Sequence, residues 1–419
     1  MPSNQLLIRE SSELTKICIL GGGFGGLYTA LYLQHYRGID SPQYQITLVD
    51  QNDRLLFTPL IYEIITDELQ AWEVAPPFEK LLKHTKVKFC QARVEGVDLK
   101  ARQVQLHNGE QLNYDYLVLS LGNATSFGNV EGAQEYTFTF RSLADVFALK
   151  KRLHSLKSSE KERIRVAVIG GGPSGVELAG KIADVLGKRG EIRLIERGGQ
   201  LLKAFTAATR HNAHRALDKR GVQVSFNTSV CQIEPEQITL EQSGETFTTP
   251  VDLVVWSAGT KAQELVTNLE CDHNQWGQVI SESSLQLAGY REVFALGDMA
   301  EIKNPSGKLV PTVAQAAYQQ ASCAAKNLWA ALQGKPLRPF RYLHLGEMIT
   351  LGFNDAAVYS FGIALRGSFA ALVRRFVYLQ RLPTMSHRLE VLWHWCKSFG
   401  RTLLGKKPSH NQQKEAIKY

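Results

Sequence analysis

Apolar runs in this chain alternate with stretches of helical periodicity, and glycine clusters mark where one gives way to the other. Residues 17–20 are continuously apolar, glycines fill positions 21, 22, 23, 25 and 26, and Leu27, Ala30 and Leu31 then recur at helical spacing. That order predicts a buried strand, a tight turn and an amphipathic helix. No Asp, Glu, Lys or Arg lies between Lys16 and Arg37, so a hydropathy window alone would suggest a membrane span. The turn imposed by the glycines argues against one. A second apolar run over 45–50 ends in an acid, Asp50.

Strands are expected over 87–94, 103–107 and 114–120, with a hairpin signal at 107–111. The strand ending at Ser120 is almost wholly apolar, as a central parallel strand should be, and Gly122 follows it. Pro59 interrupts residues 51–63, which are expected to form a loop returning toward the first glycine turn. A helical stretch over 141–156 is rich in Lys and Arg and reads as a solvated connector. The opening pattern then recurs. An apolar strand from 165 leads into Gly170, Gly172 and Gly175, and an acid-tipped strand ends at Glu196. After a helix from Thr206 and a strand over 222–226, an apolar strand over 250–259 ends in Ala258-Gly259. A short strand ends at Gly297-Asp298, and a helix is expected from Pro311 to about Leu332, with Gln315 and Gln319 on one face. The two halves read as an internal duplication at domain scale.

The glycine spacing points to dinucleotides. Gly21, Gly23 and Gly26 fit G-x-G-x-x-G: the first permits the turn, the second lets a pyrophosphate approach the backbone, and the third lets helix and strand pack closely. The helix that follows points free N–H groups and its positive end at the phosphates. Phe24 and Gly25 belong to the same cradle, and Asp50 stands at a spacing suited to a ribose hydroxyl. Thr58, Pro59, Val94, Ser120 and Gly122 are expected to line the first nucleotide. Gly170, Gly172, Pro173, Ser174 and Gly175 repeat the cradle, completed by Glu196, Arg197, Ala258 and Gly259. Glu196 can hydrogen-bond a 2′-hydroxyl and would repel a 2′-phosphate; Arg197 could offset that repulsion, so a nucleotide with or without a 2′-phosphate stays open.

The length of 419 residues suggests two to three domains. Six cysteines lie far apart with no C-x-x-C pair, which speaks against a metal cage or a redox disulfide and fits a reducing compartment. No cleavable signal is evident. Residues 361–419 hold 11 Lys/Arg and 2 Asp/Glu, a balance of +9 against +8 for the whole chain, so the basic character belongs to the C-terminal end. There Phe369, Leu372, Val373, Phe376 and Val377 form an apolar helical stripe with Arg374, Arg375 and Arg381 off it. Beyond Pro383, Leu389, Leu392, Trp393, Cys396 and Leu403 form a second, with Arg388, Lys397 and Arg401 on other faces. Charges are too frequent for a span, and basic amphipathic helices of this kind lie on anionic bilayers. Deleting 365–419 is expected to release the protein from membranes. No recognition element for nucleic acid is present.

Two Rossmann-like units, the late Gly-Asp pair and the order of parts resemble the two-dinucleotide flavoproteins. Phe57-Thr-Pro-Leu60, Gly175-Val-Glu-Leu-Ala-Gly180, Leu296-Gly-Asp298 and Ala314 to Gln319 resemble the type II NADH dehydrogenases, single-subunit quinone reductases, over about residues 15–400. Tyr62-Glu-Ile and residues 68–76 look most like the cyanobacterial and plastid branch, which includes demethylphylloquinone reductase.

The resemblance implies an α/β protein with an FAD-binding domain over 16–138 and 285–340 and an NAD(P)H-binding domain over 139–284. A lead over 1–15, a C-terminal region with membrane-surface helices over 341–405 and a disordered tail over 406–419 complete the expected layout. It implies that Asp50 binds the FAD ribose and Asp298 the ribityl chain, that Ala314 and Gln315 lie beside the flavin where a prenylated quinone arrives, and that Glu177 sits near the nicotinamide. Glu177, Gln315 and Gln319 are the expected catalytic residues; Tyr318 reads equally as packing. The reaction implied is hydride transfer from NAD(P)H to FAD and then two electrons to a membrane prenylquinone, with demethylphylloquinone reduction in phylloquinone biosynthesis the expected case. A peripheral protein on the cytoplasmic or stromal side of a membrane, thylakoid included, is implied, with a homodimer left open. A respiratory-type NADH:plastoquinone or menaquinone reductase is the alternative, with a ferredoxin-type reductase or a flavin redox sensor behind it.

Overall fold

The computed structural model describes residues 14–403, with side chains through Ser398. The expected disordered tail over 406–419 lies outside the described residues, as do residues 1–13 of the expected lead. The first strand, Thr15–Leu20, pairs in parallel with Tyr44–Asp50 on one side and with Tyr116–Leu119 on the other, so the continuously apolar run is flanked on both edges. These three lie side by side in an eight-stranded sheet whose order is Ala300–Ile302, Val279–Ser281, Gln286–Leu287, Tyr290–Ala295, Tyr116–Leu119, Thr15–Leu20, Tyr44–Asp50 and Val87–Gln91. The strand Val279–Ser281 lies in this sheet, so the chain returns to the first unit before residue 285.

The second unit is a four-stranded parallel sheet ordered Gln223–Ser225, Gly190–Ile195, Ile164–Ile169 and Leu253–Trp256. Each unit also carries a three-stranded antiparallel sheet: Val94–Asp98, Gln103–Leu106 and Gln111–Asn113 in the first, and Thr228–Glu234, Gln237–Gln242 and Glu245–Pro250 in the second. A two-stranded ribbon, Asn123–Thr125 against Thr260–Ala262, ties the two units together directly after Gly122 and Gly259.

Several expectations are corrected. The run 87–94 is two strands in two sheets: the Ala92 N–H donates to the Asp50 carbonyl and the Arg93 carbonyl accepts from His107, so the chain changes partners there. Alternating polarity cannot signal such a change, because both sheets share the same two-residue period. The stretch around Pro59 is a chain of short helical turns, Thr58–Leu60, Tyr62–Ile65, Ala71–Val74 and Phe78–Leu82, in which Pro59 sits in a first turn that needs no amide hydrogen. The supposed connector is the helix Leu143–Ser158, started by a reciprocal cap between Ser142 and Asp145. It buries Val146, Leu149, Leu153 and Leu156, so only one face is solvated. Pro311 precedes its helix, Ala314–Leu332, by three residues.

Residues 347–366 form an antiparallel meander, Glu347–Gly352, Asp355–Ser360 and Ile363–Arg366, where only helices had been expected. Asn354 and Phe361, both at positive φ, make its two turns. The helices Gly367–Arg381 and Met385–Leu403 follow. On the first, the apolar stripe faces outward, with Phe369 62% exposed, and the face bearing Arg374, 1% exposed, packs inward. No helix among the described residues is long and apolar enough to cross a membrane.

Candidate functional site

The first cradle is built by backbone geometry. Gly21 turns at φ +94°, and a Cβ on Gly26 would lie 1.9 Å from the Gly21 carbonyl oxygen, so the helix Phe24–Leu33 can sit this close to the strand only with glycine there. Ser120 locks the turn from the neighbouring strand, its hydroxyl donating to the carbonyls of Leu20 (2.8 Å) and Gly21 (3.1 Å). Asp50 accepts from the Gly22 N–H at 2.6 Å and from the Asn52 N–H at 2.8 Å, which holds its carboxylate over the glycine turn. Burial raises its pKa, with those hydrogen bonds opposing.

The second cradle repeats the same plan. Gly170 turns at φ +109°, a Cβ on Gly175 would meet the Gly170 carbonyl at 1.8 Å, and Glu196 accepts from the Gly171 N–H at 2.6 Å and the Gly198 N–H at 2.6 Å. Arg197 is exposed beside it. The counterpart of Ser120 is Ser257, whose hydroxyl donates to the Ile169 carbonyl at 2.7 Å. It was not among the expected residues, although Ser120-Leu-Gly122 and Ser257-Ala-Gly259 share the Ser-x-Gly signal. Pro173 opens the helix Pro173–Leu186.

Both cradles fit a dinucleotide. The helix after each lacks a side-chain cap at its start, so its first N–H groups are left for a phosphate, and a Cβ on Gly23 or Gly172 would meet nothing within 4 Å. Asp298, in the short helical turn Gly297–Met299, accepts from the Asn123 amide at 3.2 Å, and burial raises its pKa. Its turn is held by a glutamine outside the expected set: the Gly297 N–H donates to buried Gln320 at 2.8 Å.

Gln315 and Gln319 share a face, as expected, and both are occupied by one backbone segment. Gln315 accepts from the Tyr342 hydroxyl at 2.7 Å and the Leu345 N–H at 3.1 Å, whereas Gln319 accepts from the Leu343 N–H at 3.0 Å and donates to its carbonyl at 2.8 Å. They hold residues 342–346 in place, and Ala314 stands half-buried at the start of their helix. Tyr318 packs edge-on against Tyr28 at 4.9 Å, an aromatic contact.

Glu177 lies one turn into the second nucleotide helix and is buried. It accepts from the Thr350 N–H at 3.0 Å, and the Arg374 guanidinium stands 3.4 Å away. Arg374 is also ion-paired with buried Glu63 and lies 5.0 Å from the centre of the Tyr378 ring. The Tyr62 hydroxyl donates to Ser174 at 2.9 Å and is within hydrogen-bond reach of Glu177. Burial pushes the Glu177 carboxyl up to about 7; Arg374, the Thr350 N–H and Tyr62 oppose the rise, and Glu63 adds to it.

Three acids at a five-residue spacing, Glu63, Glu68 and Glu73, therefore receive the C-terminal region. Glu68 pairs with fully buried Lys181 and with Arg375 at 2.7 Å, and Glu73 accepts from Trp395 at 2.7 Å. Of the acids gathered here only Glu177 was expected as a site residue; nothing local marks the Glu63, Glu68 and Glu73 side chains as buried, since acids are mostly exposed.

Two cradles, each with its acid and its Ser-x-Gly strand end, define a two-dinucleotide oxidoreductase fold. The sequence profile described as pyridine nucleotide-disulphide oxidoreductase matches residues 15–321. The chain is 45% identical over 384 residues to demethylphylloquinone reductase NdbB of Synechocystis sp., covering 91% of this chain and 95% of that protein. It is 35% identical to the Arabidopsis thaliana alternative NAD(P)H-ubiquinone oxidoreductase C1, chloroplastic/mitochondrial, over 91% of this chain and 80% of that one. The solved structure of NDH2 from Plasmodium falciparum in complex with NADH superposes with a TM-score of 0.82 at 18% identity, covering 92% of this chain and 98% of that one. The chain belongs to the pyridine nucleotide-disulphide oxidoreductase family and, within it, to the type II NADH dehydrogenases. Its own six cysteines are all free, and burial pushes the Cys18 thiol up to about 12.

Proposed function

We propose that this chain is an FAD-dependent NAD(P)H:quinone oxidoreductase whose acceptor is a prenylated naphthoquinone of the demethylphylloquinone kind. The reading rests on the 45% identity to the Synechocystis demethylphylloquinone reductase across nearly both chains. The net reaction is NAD(P)H, a proton and quinone giving NAD(P)⁺ and quinol. FAD would be held by the cradle of Gly21, Gly23 and Gly26 with Asp50 and Asp298, and NAD(P)H by that of Gly170, Gly172 and Gly175 with Glu196. Bound FAD supplies the two-electron couple between nicotinamide and quinone. The chain's own contribution at the junction is a proton site. Burial raises the Glu177 carboxyl to about 7, which suits it to take a proton up and hand it on near neutral pH. Steady-state turnover with NADH and NADPH against demethylated and methylated naphthoquinones and plastoquinone tests the reading. Equal or better kcat/KM for plastoquinone would favour the respiratory alternative, and the same data settle the donor.

A membrane face accompanies this site. Phe361, Ile363, Phe369, Leu372 and Phe376 are exposed on the meander and first helix, as are Met385, Leu389 and Trp393 on the second. This outward apolar surface beside basic residues supports docking on an anionic bilayer, where a prenylated quinone resides. Deleting 365–419 would also remove Arg374 from between Glu63 and Glu177, so surface substitutions test the idea more cleanly. The triple variant Phe369→Glu, Leu372→Glu, Phe376→Glu is expected to lose at least about tenfold in binding to anionic vesicles. It should keep its turnover with a short-chain, water-soluble quinone. Undiminished vesicle binding would remove this face from consideration.

A further inference from the structure

Two buried carboxylates, Glu63 and Glu177, share one guanidinium. Arg374 makes its close ion pair with Glu63 and stands 3.4 Å from Glu177. The Nη2 that faces Glu177 also donates to the Pro59 carbonyl, and the Nε is buried without a hydrogen-bond partner among the described residues. The second oxygen of Glu63 is buried without a hydrogen-bond partner among the described residues. Glu63 thus lacks the surrounding donors that would make it a simple structural anchor, while it holds Arg374 more closely than Glu177 does. The groups facing Glu177 are Arg374 and Tyr378 from the helix Gly367–Arg381, Glu63 and Tyr62 from the helix Tyr62–Ile65, and the Thr350 N–H from the strand Glu347–Gly352.

We infer that Glu63 is a positioning residue for the proton step: by engaging Arg374 it leaves Glu177 with an incomplete countercharge. This inference rests on the quinone-reductase reading for its purpose and on the shared guanidinium for its geometry. With Glu177 protonated, the three groups are neutral as a set; with it ionised, they carry one uncompensated negative charge. Burial makes that charge costly, which raises the proton affinity of Glu177. Were Arg374 free to turn wholly to Glu177, an opposite charge at contact distance would hold Glu177 ionised.

The test is Glu63→Gln in the flavin-loaded protein, with Glu177→Gln as the reference for assignment. The infrared band of the buried protonated carboxyl is followed against pH, together with the pH profile of kcat for quinone reduction. In the wild type the band that Glu177→Gln removes should titrate at about 7. In Glu63→Gln its midpoint and the matching limb of the kcat profile should move toward acid by about one unit or more. Glu63→Asp keeps the charge but draws it back by one methylene, and should give a smaller shift in the same direction. An unmoved midpoint in whichever variant folds, or a loss of kcat that is uniform across pH, overturns the assignment. Absence of quinone turnover in the wild type would instead overturn the activity, leaving the infrared midpoint to judge Glu63.

Discussion

Gly23→Ala should give a folded protein that emerges from purification depleted of flavin. Gly23 has φ −75° and ψ −158°, extended backbone that any residue adopts, and an added Cβ meets nothing within 4 Å. Alanine there should cost little in the apo chain, about 1 kcal/mol or less for the change at a helix start. The methyl group would stand where a pyrophosphate must approach the first helical N–H groups. Losing charge-assisted contacts worth about 1.5–3 kcal/mol corresponds to about a tenfold to hundredfold weaker affinity. Visible flavin absorbance relative to protein absorbance after gel filtration measures it. Gly172→Ala, at φ −74° and ψ −176° and equally open, should keep the flavin and raise KM for the nicotinamide by a similar factor. A Gly23→Ala protein with full flavin content, or a Gly172→Ala protein that loses flavin instead, would reverse the assignment of the two cradles.

The second large effect is expected at Arg374. Arg374→Met keeps the bulk of the side chain and strands Glu63 and Glu177 in the interior. Removing one partner of a buried ion pair costs about 3–5 kcal/mol, and more than one carboxylate depends on this guanidinium. A fall in Tm on the order of 5–10 °C is expected. The pH dependence carries a definite sign. Glu177 has a folded pKa of about 7 against an ordinary 4.5, so it binds its proton more tightly when the chain is folded. Its stabilising contribution is fully present below about 4.5 and is lost as pH rises through 7. Without Arg374 the ionised form is worse still, so the Tm deficit should be small at about pH 5 and largest at about pH 8. Thermal unfolding of both proteins at the two pH values decides it; an equal deficit at each would mean that Arg374 acts by packing alone.

The cradles were legible because everything that makes them is local. A turn at positive φ, a helix start without a cap and an acid at the tip of the next strand all lie within about 30 residues, and each demands a particular residue type at a particular offset. Ser257 shows that even this signal was read incompletely, since the first unit's Ser-x-Gly predicts it. The split at Ala92-Arg93 and the meander over 347–366 were lost for a different reason. Strand residues announce their period but not the strand they pair with.

Arg374 marks the boundary most sharply. On the helix Gly367–Arg381 it lies off an apolar stripe, and by local pattern the charged face of an amphipathic helix faces water. Here the stripe faces outward and the arginine inward, because Glu63, 311 residues earlier in the chain, is already buried and needs a cation. Gln315 and Gln319 were likewise visible as a pair on one face, yet their hold on residues 342–346 was not. Sequence alone determined that two dinucleotide sites exist, which residues shape each turn, and that the C-terminal helices are amphipathic and basic. Only the tertiary structure decided which helix face is buried and which charged residues gather around Glu177, because burial and countercharge depend on partners that folding brings from hundreds of residues away.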